Sequence, residues 1–380
     1  MFHTKGIIKL PFLLLSLLFF NTVQSTLSLE EKIGQLLMVH FNGEDTNDDA
    51  QTLVQTVRVG GIIYYNWANG LNSPDQVRSL SSHLQELTQI NPHPIPLLIS
   101  VDQEGGRVQH LTKGFTIFPS NSAVGSTGVP EFARQNALTI GKELRAVGVN
   151  MNLAPVVDIN SNPLNPIIGS RAFGSSVDQV VAFGEMALKG FYEAKILSTI
   201  KHFPGHGDVD VDSHKSLPLL NKTKKQLKSV ELVPFTLLAP YTDAVMTAHI
   251  MVPEIDPHYC ATFSKAILDI LRCEIGFNGV VITDSLVMQG ALNNVGSVDE
   301  AAICAIAAGC DILLLGGTQL IEGQKNLELT VADIQRIYTH LVEAVQNGRL
   351  PENRIDEAVE RIMKLKTRLF SDESNNPHRN

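Results

Sequence analysis

The chain has 380 residues, 44% of them hydrophobic and 18% charged, with 30 basic against 39 acidic residues and a net charge of −9. These proportions suit a globular protein with a sizeable core, and the absence of a lysine/arginine cluster or stripe argues against nucleic acid as a partner. The length admits one large unit or two, because α/β barrels routinely run past roughly 200 residues as one domain.

The N-terminus reads as a separate object. Lys5 and Lys9 precede an apolar run over 10–20, and Val23-Gln24-Ser25 offers compact residues for cleavage after Ser25. This is the order of a secretory signal. As a helix the run spans roughly 16 Å, too short for a hydrocarbon core of about 30 Å. Residues 1–25 are therefore expected to be a signal peptide. The mature chain would then be periplasmic or secreted, without a membrane span; a cytoplasmic protein is the alternative.

Eight short β-rich runs follow, at 34–41, 60–65, 96–102, 149–158, 196–202, 244–250, 279–284 and 311–316. Continuous apolar runs without alternation suit strands buried on both faces of a parallel sheet. Helix-length segments lie between them. Residues 74–90 carry Val77, Leu80, Leu84 and Leu87 at helical spacing behind Ser73, and residues 131–147 end at Gly148. Residues 178–194, 264–275 and 298–308 behave similarly, and 331–347 and 351–369 are the last helices. Strand–helix alternation repeated eight times predicts a single-domain α/β fold of the (β/α)8 TIM-barrel type over 26–370. An open doubly wound sheet is the competitor, but no glycine-rich dinucleotide fingerprint opens the first unit. Residues 371–380 form a polar tail, expected to be disordered. Cys260, Cys273, Cys304 and Cys310 match no metal spacing, and either pairing or burial as free thiols is open to them.

In a barrel of this type the active site lies at the C-terminal ends of the strands. Those ends carry Asp102, Asp158, Lys201 with His202, His249 and Asp284. The densest chemistry is Lys201-His202-Phe203-Pro204-Gly205-His206-Gly207-Asp208, with Asp210, Asp212 and His214 following. Proline and glycine hold this stretch out of regular structure, as a loop that presents proton-transfer groups. A carboxylate at the mouth such as Asp284 suits a nucleophile or a stabiliser of an oxocarbenium-like centre. In Asp212-Ser213-His214 the outer residues share one side of an extended segment, so the carboxylate raises and orients the imidazole as an acid/base. A metal held by His202, His206 and His214 is the rival reading. The His-x3-His spacing needs a helix, however, which Pro204-Gly205 forbids. No G-x-S-x-G elbow supports a serine hydrolase.

Five segments together resemble glycoside hydrolase family 3. They are Val101-Asp102-Gln103-Glu104-Gly105-Gly106-Arg107-Val108, Ile168-Gly169-Ser170-Arg171-Ala172-Phe173-Gly174, the Lys201–Gly207 stretch, Asp212-Ser213-His214 and Thr283-Asp284-Ser285-Leu286-Val287-Met288. The similarity spans about residues 30–350 and is to the single-domain bacterial β-N-acetylglucosaminidases that act on peptidoglycan fragments. It implies a retaining hydrolase with Asp284 as nucleophile and His214, paired with Asp212, as acid/base. It also implies sugar-binding roles for Asp102, Arg171, Lys201 and His202, and for His110, where an arginine is expected of the family. No cofactor or metal is implied, and the partner is a carbohydrate, bound by an expected monomer. A phosphorylase using the same site, a family 3 β-glucosidase or β-xylosidase, and a non-catalytic sugar-binding barrel are the competing functions. Arg107, in the Gly-Gly-Arg turn, reads as structural.

Overall fold

The computed structural model describes residues 27–319 and 327–369; the expected signal peptide (1–25) and tail (371–380) lie outside the described residues. The first element among the described residues is a helix, Leu29–Gln35, closed at its start by a reciprocal bond pair between Ser28 and Glu31. It absorbs Gly34 and Gln35 from the first predicted strand. Eight strands then recur: β1 Leu37–Val39, β2 Gly61–Tyr64, β3 Leu98–Val101, β4 Met151–Asn152, β5 Leu197–Phe203, β6 Ala244–Thr247, β7 Val280–Ile282 and β8 Leu313–Leu314. Their order in the sheet is β8-β1-β2-β3-β4-β5-β6-β7, and all neighbours run parallel. A parallel bridge between Ile282 and Ile312 joins the last two strands, so the barrel closes on itself.

Every predicted run overlaps one of these; seven are trimmed at one or both ends, and the fifth runs one residue further, to Phe203. The run 149–158 shrinks most. Regular pairing stops at Asn152, ahead of Pro155, which has no N–H to offer a ladder, and resumes as a single bridge between Val156 and Lys201. The strands are buried throughout, as a two-sided parallel sheet demands.

The helices over Pro74–Thr88, Glu131–Ala146, Val177–Glu193, Val298–Ala308, Val331–Gln346 and Glu352–Thr367 match the predicted segments within two residues at each end. The predicted helix 264–275 divides instead into an α-helical part, Lys265–Asp269, and wider π-type turns over Ile270–Glu274. Similar turns over Thr52–Val57 complete the first crossover, and Lys224–Ser229 with Leu232–Leu238 form the fifth.

At the N-terminal end of the barrel, opposite the mouth, Asp311 accepts bonds from Arg272 (2.6 Å), Arg354 (2.6 Å) and Arg361 (3.0 Å), joining two helices to the root of β8. There too Lys366 is fully buried, its Nζ donating to Gln35 Oε1 (2.7 Å) and to the carbonyl of Gly60 (2.8 Å). The four cysteines are free thiols, Cys260 and Cys310 buried and Cys273 exposed.

Candidate active site

The strand ends converge on one cavity at the mouth, about 320 Å³ in volume. Asp102, His110, Arg171, Lys201, His202, His214 and Asp284 all line it. Of the sequence-predicted site residues only Asp212 stands behind this wall, bonded to His214.

One side of the cavity is an ion network. Lys201, at the end of β5, donates to Asp102 Oδ1 (2.5 Å) and lies 2.6 Å from Glu104 Oε1. Arg171 closes the network from beyond β4, its guanidinium gripping both oxygens of Glu104 at 2.9 and 2.8 Å. Burial alone would raise the Glu104 pKa, but Arg171 and Lys201 outweigh it and hold the carboxyl far below the usual range. Asp102, Arg171 and Lys201, which line the cavity, are suited to grip vicinal hydroxyls, because hydrogen bonds to charged groups are the strong ones.

His202 is fixed on both edges. Its Nδ1–H donates to Asp158 Oδ2 (2.7 Å), and Arg171 donates to its Nε2 across 3.2 Å. Asp158 also receives the backbone N–H of His206 at 2.7 Å. One buried carboxylate thus ties the end of β5 to the start of the loop behind it. The Lys201–His202 and Phe203–Pro204 peptide bonds are cis. Further along, His206 Nε2 shares a 3.0 Å hydrogen bond with Ser213 Oγ, and Gly290 N–H donates to the Ser213 carbonyl at 2.9 Å. Burial lowers the His206 pKa to about 4, so the ring is neutral near pH 7. Gly205 adopts φ +125°, and a Cβ on Gly207 would overlap the Ile159 carbonyl, so both positions demand glycine.

These anchors place His214 at the rim, half exposed, with its Nδ1–H donating to Asp212 Oδ1 at 2.8 Å. The bond leaves Nε2 as the nitrogen that can exchange protons. Burial would raise the Asp212 pKa, but its bonds from the His214 ring and backbone bring it down to about 2, so it is an anion throughout the working range. Asp284 follows β7. Thr283 Oγ1 accepts from Leu314 N–H, and Ser285 Oγ donates to the Gly316 carbonyl, which pins the Thr283–Ser285 segment to β8. Asp284 Oδ1 accepts the Ser285 N–H at 2.7 Å. Burial would raise its pKa as well; the imidazoles of His202, His249 and His214 and the Ser285 amide outweigh burial and hold it low. The carboxylate is therefore an anion available for attack.

The opposite wall is aromatic. Tyr65, at the end of β2, is buried, and Trp67 stacks on it with ring centroids 5.0 Å apart and planes 17° from parallel. His110 meets the edge of Tyr65 at 5.3 Å, and burial lowers its pKa. Asn66 Oδ1 lies 3.3 Å from His110 Nδ1. A neutral ring at the mouth thus stands where an arginine was expected of the family. Arg107, read as structural from sequence, also reaches the cavity and donates to the Ile167 carbonyl.

Several contributors had been given no role from sequence. Glu104 is the hub of the ion network; it stands two residues from Asp102 within one of the family segments, and those are the signals that could have found it. Asp158 and His249 stood out as strand ends. Asp158 proves to be an internal anchor, and His249 is buried, its Nε2–H donating to the Ser285 carbonyl at 2.9 Å. Among the described residues no cluster of His, Cys, Asp and Glu is arranged to hold a metal ion.

Comparison with known proteins agrees with this geometry. The family model described as the glycosyl hydrolase family 3 N-terminal domain matches residues 28–365. A protein of Pseudoalteromonas piscicida named beta-hexosaminidase A is 34% identical, covering 92% of this chain and 62% of its own length. The beta-hexosaminidase of Pseudomonas aeruginosa is 33% identical over 79% of this chain and 86% of its own. Among solved structures, a glycoside hydrolase family 3 beta-N-acetylglucosaminidase from a Paenibacillus species superposes with a TM-score of 0.84 at 41% identity, covering 92% of this chain and 64% of that one. The chain therefore spans somewhat under two thirds of the first and third of these relatives. A closed eight-stranded barrel, the residues at its mouth and these matches lead to one conclusion: the chain belongs to glycosyl hydrolase family 3.

Proposed function

We propose that the protein is a retaining β-N-acetylglucosaminidase that releases terminal, non-reducing β-linked N-acetylglucosamine from peptidoglycan fragments or related glycans. The observation that carries the reading is the pairing of an anionic Asp284 with an Asp212–His214 dyad around one cavity. In the first step Asp284 attacks the anomeric carbon while His214 Nε2–H protonates the departing oxygen. In the second His214 takes a proton from water, which displaces the carboxylate and returns the β configuration. Asp212 holds the ring in place through its bond to Nδ1–H. Asp102, Arg171, Lys201 and His202 bind the hydroxyls of the terminal sugar, with His110 beside them. The names of the relatives support N-acetylhexosamine as the sugar. Residues 1–25, read as an export signal, would bring the enzyme to cell-wall material outside the cytoplasm.

The test compares aryl β-N-acetylglucosaminide with aryl β-glucoside and β-xyloside, without and with inorganic phosphate. Preference for the first by a hundredfold or more, with free sugar as product, is expected. Equal rates on the glucoside would refute the N-acetylhexosamine assignment, and sugar 1-phosphate as product would make the enzyme a phosphorylase.

A further inference from the structure

Trp67 lines the active-site cavity and is open to solvent. Its relative exposure is 44%, whereas Tyr65 beneath it is 9% exposed. Of the large apolar side chains exposed among the described residues, Trp67 alone lines the cavity. Tyr65 supports one face of the indole, and His40 meets it edge-on at 5.2 Å. His40 is in turn buried and faces Glu328 at 3.7 Å. A side chain serving only to fill space would be covered; this one is braced from behind and left open in front.

Position decides what meets it. The ion network of Asp102, Glu104, Arg171 and Lys201 lies at the depth of the strand ends, and Tyr65, which directly follows β2 and lines the same cavity, shares that depth. Trp67 lies two residues further out, on the short helix Asn66–Asn69. A glycan entering by its non-reducing end puts its terminal ring deepest and its leaving ring nearer the rim. We infer that Trp67 is the platform for the leaving-group sugar, stacking its indole on the apolar C–H face of a pyranose on the far side of the scissile bond. This rests on the proposed glycosidase reading. A pyranose is amphipathic, with hydroxyls around its edge and hydrogens on its faces, and a flat aromatic face recognises the latter.

The sequence supplies its own reporter, since Trp67 is the only tryptophan of the chain. Two measurements test the inference. In the first, kcat/KM is determined for N,N′-diacetylchitobiose and for β-N-acetylglucosaminyl fluoride, whose leaving group has no ring. Trp67→Ala should lower the disaccharide-to-fluoride ratio at least fivefold, and Trp67→Phe should restore most of it. A smaller change in the ratio overturns the inference, including a case in which both substrates suffer alike. In the second, diacetylchitobiose and N-acetylglucosamine are titrated into Asp284→Asn, which keeps Trp67, and tryptophan emission is followed beside calorimetry. A saturable emission change with the disaccharide alone is expected. Disaccharide binding without that change, or the same change with the monosaccharide, overturns it. Should the wild type turn over neither substrate, the glycosidase reading fails, and the emission titration still decides whether a sugar ring rests on Trp67.

Discussion

In the proposed mechanism Asp284 and His214 meet different demands of one reaction. The nucleophile has to be an anion, which its neighbouring imidazoles and the Ser285 amide secure. The acid/base has to cycle its proton, and an imidazole does so without placing a second negative charge beside Asp284. Asp284→Asn should keep the fold and sugar affinity while lowering kcat by three orders of magnitude or more, because nothing else can form the covalent bond. Steady-state kinetics within tenfold of wild type would remove Asp284 from that role. His214→Ala should lose far more on a disaccharide than on a nitrophenyl glycoside in the glycosylation step, since an activated phenolate leaves without a proton. Azide should then restore turnover on the activated substrate and yield a β-glycosyl azide. Equal losses on both substrates, with no response to azide, would reduce His214 to a binding group.

Loops and short elements bring these groups together, and their anchors are as specific as the catalytic residues. The hairpin of Gln103–Gly105 and Val108–Gln109 inserts Glu104 between Lys201 and Arg171, while Asp158 and the His206–Ser213 bond shape the loop that ends at His214. Lys201 keeps Asp102 as a second partner at 2.5 Å, but Arg171 has its carboxylate contact through Glu104, so loss of that charge leaves a guanidinium buried without its counter-ion. Glu104→Gln should destabilise the fold by about 3–5 kcal/mol, the range for breaking one member of a buried ionic cluster. Urea unfolding monitored by circular dichroism provides the check, and a change below about 1 kcal/mol would show that Lys201 and Arg171 are held by other means. The sequence exposed the catalytic loop through Pro204, Gly205 and Gly207 and the residues they punctuate. It did not expose the anchors, because a bond such as Asp158 to His202 crosses 44 residues and leaves no local pattern.

The two ends of the barrel divide labour. The mouth carries ionisable groups that line the open cavity, whereas the base carries ones that are sealed. Lys366 is the extreme case. Burial pushes its pKa from the ordinary value of about 10.4 down to about 7. Between those values the unfolded chain binds a proton that the folded chain does not, so stability rises with pH in that window and the burial cost is greatest at and below its lower edge. Relative to Lys366→Met, the wild type should therefore gain stability from pH 7 to pH 9, by at most about 1.4 kcal/mol per pH unit. Taking the difference cancels the other titrating groups, and chemical denaturation at three pH values measures it. A pH-independent difference would mean that Lys366 stays charged in the fold.

From sequence alone came the eightfold alternation, the strand ends that bear charge, and the residues proposed as dyad and nucleophile, because apolar runs and punctuating glycines and prolines are local signals. The tertiary structure decided what no local signal carries. It set the closure of β7 and β8 through Ile282 and Ile312, the retreat of the fourth strand before Pro155, and the choice of Glu104 over other carboxylates as the network's hub. It also turned Trp67 into a braced, open surface beside the chemistry. Each of these depends on which distant segments share a surface, and burial and hydrogen bonding between them exist only once the barrel has closed.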